Sequence, residues 1–310
     1  MPTRRIFIPE VNLSSGFQGV DALLAAIQTA WENPERIVLD FSRCGFISAE
    51  GVAALVAQKL RRDTDGYQTT IDWSTVTDKV TKQFGKWQIA SLFDSKNPAW
   101  TDNSIPLFHQ PTREYTQLIE FTERFLVSGA NMPRMTPALA KKTKQNICEL
   151  FLNVFRHSKS PIGGIAIGQL YPHKREVQIC ICDAGVGMVQ QVQSYLHARG
   201  SPVDAVDAIK WALERGHSTW RGREPPGVGL YTLREFIKEN GGVFRIYANG
   251  GYYSEYAGSS SGRYLQSTLP GTLIDLRLNV RDDVTYTLTS SEKVANYENF
   301  DSGSVWNDLR

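Results

Sequence analysis

Residues 149–157 read ELFLNVFRH. Glu149, Asn153 and His157 recur at every fourth position of an otherwise mostly apolar run. Four residues carry a helix slightly past one full turn, so the three polar side chains line one side of a single helix. Leu150, Phe151, Val154 and Phe155 take up much of the remaining surface. Such a helix needs a packed core around it and leaves one polar row to be explained. Read alone, the row fits a solvated stripe.

The chain is 310 residues long, which favours two domains of modest size over one core. An apolar fraction of 41% with 21% charged residues describes a globular protein rather than a disordered one. The net charge is +2 and no long block of like charge occurs, so nothing supports a broad electrostatic grip on nucleic acid. No apolar run reaches the roughly 18–20 residues needed to cross a bilayer. The start, MPTRRIFIPEV, lacks the apolar stretch of a secretory signal. A cytoplasmic chain without a membrane partner is expected. Cys180 and Cys182 alternate with Ile179 and Ile181 and read as small buried hydrophobes; with Cys44 and Cys148 they show no metal-ligand spacing.

The first hundred residues alternate strands and helices. RRIFIP (4–9), RIVLDF (36–41) and TTIDW (69–73) read as strands; 18–31, 49–62 and 75–85 read as helices. Ser48 is placed to cap the second helix. Residues 95–112 hold three prolines and read as an interdomain junction. Helices are expected over about 113–128 and, with Thr136 as cap and Pro137 in the first turn, from there to about 157. REVQICICD (175–183) is a strand running into DAGVGM. Residues 203–215 and 230–239 are helical, VFRIYAN and GTLIDLRLNV are strands, and 249–268 between them reads as a long hairpin loop. Residues 281–310 show no periodicity. Their Tyr297, Phe300, Asp301 and Trp306 leave a docking peptide and a disordered tail both open.

Asp183 sits where a strand meets Gly185 and Gly187, which permit positive φ and let a ligand approach backbone. In PPGVGL (225–230), Gly227 and Gly229 precede a helix whose exposed N–H groups suit an anion. Each loop alone is as well explained by a tight turn or a helix entry.

In order, the chain carries Glu-x3-Asn-x3-His on a helix, Asp-x-Gly-x-Gly after a strand, Gly-x-Gly-Leu opening a helix, and a strand beginning Gly-Thr. This series over residues 113–280 resembles the GHKL ATP-binding superfamily, which includes gyrase B subunits, heat-shock chaperones, histidine kinases and MutL proteins. ELFLNVFRH is most similar to the version in anti-sigma-factor serine kinases. The resemblance implies a two-layer α/β sandwich that binds ATP and Mg²⁺. Asn153 would ligate the metal, Glu149 would act on a water or acceptor hydroxyl, and His157 would donate to a phosphate or pack at the helix end. Asp183 would accept from the adenine amino group. Gly185 and Gly187 would let the base lie on backbone, Gly227 and Gly229 would grip phosphates, and Thr272 would help order the adenine contact. Residues 188–226 would form the lid, with Arg221 and Arg223 as candidate phosphate contacts.

VLDFSRCGFISAEGVAAL resembles the strand–turn–helix of STAS domains, the anti-sigma-factor antagonist fold. Aligned on Gly51, the serine that accepts phosphate in that family is replaced by Ala49, with Glu50 beside it. The expected organisation is therefore an α/β chain with a STAS-like domain over 1–105, a GHKL domain over 106–280 and a tail over 281–310.

Three functions follow from the resemblance: an ATPase that switches protein contacts, an anti-sigma-type serine/threonine kinase acting on another chain, and a non-hydrolysing ATP-binding module. The presence of Glu149 favours hydrolysis. His109, in FHQPTREY, lies outside any expected helix, which argues against a histidine kinase. A regulatory protein partner is expected, and a homodimer stays open. The five tyrosines of 247–264 read as packing or a partner surface.

Overall fold

Strand–helix alternation builds the first layer pair of the computed structural model. It describes residues 2–12, 16–31, 33–95, 104–112, 114–127, 132–219, 229–280 and 285–287, with backbone alone for Tyr115, Val127, Leu152, Arg156 and His157. Strands β1 (Thr3–Phe7), β2 (Arg36–Asp40) and β3 (Thr69–Ile71) pair in parallel in that order. Helices α1 (Gly16–Gln28) and α2 (Ala49–Thr64) cross over between them, as parallel pairing requires. Helix α3 (Asp78–Trp87) follows, capped by Thr77.

A five-stranded antiparallel sheet follows, in the order β4-β5-β6-β8-β7. Its strands are β4 (Ser104–Gln110), β5 (Gly164–Tyr171), β6 (Glu176–Asp183), β7 (Val243–Tyr256) and β8 (Ser259–Asn279). The helices are α4 (Tyr115–Phe121), α5 (Pro137–Asn153), α6 (Met188–His197), α7 (Ala205–Leu213) and α8 (Gly229–Asn240). The chain is thus mixed α/β.

Both faces of the larger sheet are covered. On β6, Val177, Ile179 and Ile181 share a core with Ile147, Leu150 and Phe236 of α5 and α8. The opposite parity, Cys180 and Cys182, joins a core containing Leu24, Val52 and Val56 of α1 and α2. The period of two across a pleated strand makes this division automatic. All four cysteines are free thiols, and Cys180 and Cys182 are buried as expected.

Several expectations are corrected. The 95–112 stretch is no simple junction, because β4 lies within it as an edge strand. Pro106 falls where the pairing register shifts between Ile105 and Phe108, a place a strand tolerates proline. His109 lies on this strand, its Nε2 2.8 Å from the Ile162 carbonyl oxygen. The 249–268 excursion is no loop: β7 and β8 continue through it as a hairpin arm closed at Ala257–Gly258. Tyr247, Tyr252 and Tyr253 are buried in packing, whereas Tyr256 and Tyr264 are exposed. The helix expected over 113–128 becomes π-helical at Thr122–Val127. Of the 281–310 stretch only 285–287 is described; Tyr286 pairs with the backbone of Arg134 and Thr136 ahead of α5. Tyr297, Phe300, Asp301 and Trp306 lie outside the described residues.

Ser48 stands at the N-cap of α2 with extended backbone, but its side chain makes no cap bond and its buried Oγ has no partner among the described residues. Glu50 is fully buried against the larger sheet. Its carboxylate accepts from Arg277 Nη2 at 3.0 Å and from the Gln178 amide; Arg245 Nη1 lies 4.0 Å away. Asp275, also buried, accepts from Arg245 Nη1 at 3.1 Å and Gln178 Nε2 at 2.7 Å. Burial first, and then the nearby Asp275, push the Glu50 carboxyl above its ordinary range, while both guanidiniums oppose that. Glu50, Cys180 and Asp275 bring ligand atoms within 4.8 Å of one another. The two arginines already balance both carboxylates there, so the cluster is an ion-pair network joining α2 to β6, β7 and β8.

Candidate functional site

Helix α5 is positioned by its first turn. Thr136 Oγ1 accepts from the Leu139 N–H and Pro137 occupies the first turn, as the sequence predicts. Leu150 and Phe151 bury one side against the sheet. The polar row then meets the end of β6. Glu149, Asn153, Asp183, Gly187, Gly229 and Thr272, from four separate stretches, line one cavity. Its empty volume, open mouth included, is about 930 Å³.

The row ends differently than a regular helix would end it. Val154–Ser158 is π-helical. The His157 side chain lies outside those described. Gly227, Arg221 and Arg223 fall in 220–228, also outside the described residues. Of the 188–226 stretch expected as a lid, α6, α7 and the chain to residue 219 are described.

Each described glycine of the site has a steric reason. A Cβ on Gly185 would strike the Ser158 carbonyl. Gly187 has φ +78°, and a Cβ there would lie 2.6 Å from the Gly271 carbonyl oxygen. A Cβ on Gly229 would collide with the Glu149 carboxylate. Glu149 thus sits at the N-terminus of α8, where the positive end of the helix favours a carboxylate. Thr272 Oγ1 accepts the Met188 N–H at 2.9 Å and ties β8 to the start of α6.

Asp183 is the buried acid of the cavity, 4% exposed. Its Oδ1 accepts the Gly185 N–H at 2.8 Å. Burial raises its pKa from 3.8 to about 6; the Gly185 N–H, the Ser158 hydroxyl and the Thr272 backbone hold back part of the rise. The sign is therefore opposite to that of a salt-bridged acid. The folded state binds this proton more tightly than the unfolded chain does. Its contribution to stability is present below pH 3.8 and is lost as pH rises through about 6. A ligand that donates to the ionised carboxylate reverses the preference. Such a donor ligand without titrating groups of its own is expected to bind about tenfold more weakly for each pH unit below 6. Titration calorimetry at several pH values checks this, and a flat profile contradicts a donor at Asp183.

Trp211, His217 and Ser158 also line the cavity, and the sequence does not mark them. Trp211 lies in a segment read only as amphipathic helix, and nothing in the local pattern marks the other two.

No protein-family model matches the chain, and comparison with curated proteins finds no match. No described helix is long and apolar enough to cross a membrane.

Proposed function

We propose that the chain is a GHKL-type ATPase whose nucleotide state controls protein contacts made with a STAS-like N-terminal unit. The observation that carries this reading is the convergence of Glu149, Asn153, Asp183, Gly187, Gly229 and Thr272 on one cavity. They come together from positions up to 123 residues apart, in the order the resemblance implies.

The donor set suits a Mg-nucleotide. Asp183 offers a buried acceptor to an amino group, and Gly187 lines the same cavity beside it. Asn153 would hold Mg²⁺ through its amide oxygen, a hard ligand of the kind the ion prefers. Bound Mg²⁺ would neutralise phosphate charge. Glu149, one turn from Asn153, would orient the attacking water and take its proton. Thr272 would keep Met188, at the start of the lid, against β8.

The hairpin arm supports the switch over a plain binding module. It touches the lid through the Tyr264 hydroxyl, which donates to Asp204 at 2.7 Å. It touches α1 through the Gln266 N–H, which donates to Asp21 at 2.9 Å, and through Tyr252, whose ring lies 4.6 Å from that of Phe17. A change in the lid therefore has a direct route to the N-terminal unit. Self-phosphorylation at the STAS-like turn is disfavoured: Ala49 has no hydroxyl, and Ser48 is fully buried.

Incubation with γ-labelled ATP separates the classes. Free phosphate supports the ATPase, label on a partner protein supports the kinase, and neither supports a binding module. Glu149→Ala is expected to retain ATP binding while hydrolysis falls by about 100-fold or more. Unchanged hydrolysis removes Glu149 from the mechanism.

A further inference from the structure

A line of rings leads into the cavity from the lid. Its outer end is closed, because the Arg199 guanidinium lies 3.6 Å from the centre of the Tyr195 ring. Tyr195 on α6 meets Trp211 on α7 with ring centres 5.6 Å apart. Trp211 then stacks on His217, 4.6 Å between centres and 22° between planes. His217 Nδ1 donates to the Trp211 carbonyl oxygen at 3.0 Å, and Glu214 Oε2 lies 3.2 Å from the same nitrogen. These contacts fix the plane of the imidazole. Trp211 and His217 both line the cavity that holds Asp183. Among the described residues, no ring other than Trp211 stacks on His217.

We propose that this ladder is a stacking platform and that its next member is the purine ring of the bound nucleotide. The inference rests on the nucleotide reading of the cavity and adds to it a specificity element in the lid. A ring built to stack on an imidazole is flat and aromatic, and base–aromatic stacking tolerates any base. Selectivity for an amino-bearing purine then comes from Asp183, and affinity for a planar ring comes from His217. The ladder also explains why α6 and α7 pack together beside the cavity: binding a base extends a stack that already joins them. In this way a ligand on the sheet side orders the lid.

The test is calorimetric titration of the full chain with adenosine, ATP and inorganic triphosphate. His217→Ala is expected to weaken adenosine and ATP by the same factor, about tenfold, and to leave triphosphate unchanged. His217→Phe, which keeps a ring, is expected to restore adenosine binding. Ligand binding is also expected to change tryptophan fluorescence, and Trp211→Phe to remove that change. Melting of each unliganded variant establishes that it is folded. Wild-type affinity in His217→Ala, or equal weakening in His217→Phe, overturns the platform. If Asp183→Asn loses adenosine while His217→Ala does not, the ladder fails and the nucleotide reading stands. If the wild-type chain binds neither adenosine nor ATP, both fall.

Discussion

Asp183→Asn is expected to weaken adenosine and ATP binding by about 100-fold or more. The reason is orientation. Oδ1 of Asp183 already accepts the Gly185 N–H. An asparagine must keep its oxygen there, or place two donors together. Its amide NH₂ then faces the amino group of the base, donor against donor, in a site shielded from water. The same variant should make the unliganded protein more stable at neutral pH. Holding a carboxylate whose pKa has risen from 3.8 to about 6 costs on the order of 3 kcal/mol there. Weaker binding together with a higher melting temperature marks a site residue under strain for function. Weaker binding with a lower melting temperature would point to general damage.

Glu50→Ala is expected to produce the largest loss of stability, about 3–5 kcal/mol. It removes the one carboxylate that α2 contributes to the buried network. Arg277, only 6% exposed, would keep Asp275 at 3.5 Å but lose its 3.0 Å partner. Two guanidiniums would then share one carboxylate in a core. Because Leu24, Val52, Cys180 and Leu273 belong to one continuous cluster, the loss should not be confined to the N-terminal unit. Denaturant unfolding of the wild type should show one transition for both sheets, and Glu50→Ala should move its midpoint down. Two separate transitions with an unchanged second midpoint would mean that the sheets are independent domains. The result also bears on the proposed switch, since a unit fixed this firmly transmits change through the hairpin arm rather than by detaching.

The sequence patterns that proved legible were local ones. The Thr136–Pro137 helix start, the alternation in REVQICICD and the glycines after Asp183 are each a short pattern readable within a few residues. Strand β5 was missed because Gly164 and Gly168 break its strand signal. Both are required by long-range crowding: a Cβ at 164 would press on Phe151, and one at 168 would press on Ile105 and the Gln178 carbonyl. The serines and glycines of the arm look like turn formers in sequence, while its pairing partner lies across the hairpin. The role of Glu50 was illegible for a stronger reason. Its partners Gln178 and Arg277 lie 128 and 227 residues away, and next to Ala49 in sequence it looks like a surface charge. The π-helical turn after Asn153 has no pattern that distinguishes it from a regular helix.

Hydrogen–deuterium exchange of the full chain, with and without millimolar Mg-ATP, tests the central claim most directly. The account predicts slower exchange in three places: the turn from Asp183 to Met188, the lid through α7, and α1 beyond the hairpin arm. Protection of the turn and lid alone would keep the site but remove the switch. An exchange pattern that Mg-ATP leaves unchanged across the whole chain would contradict the assignment of this cavity to a nucleotide.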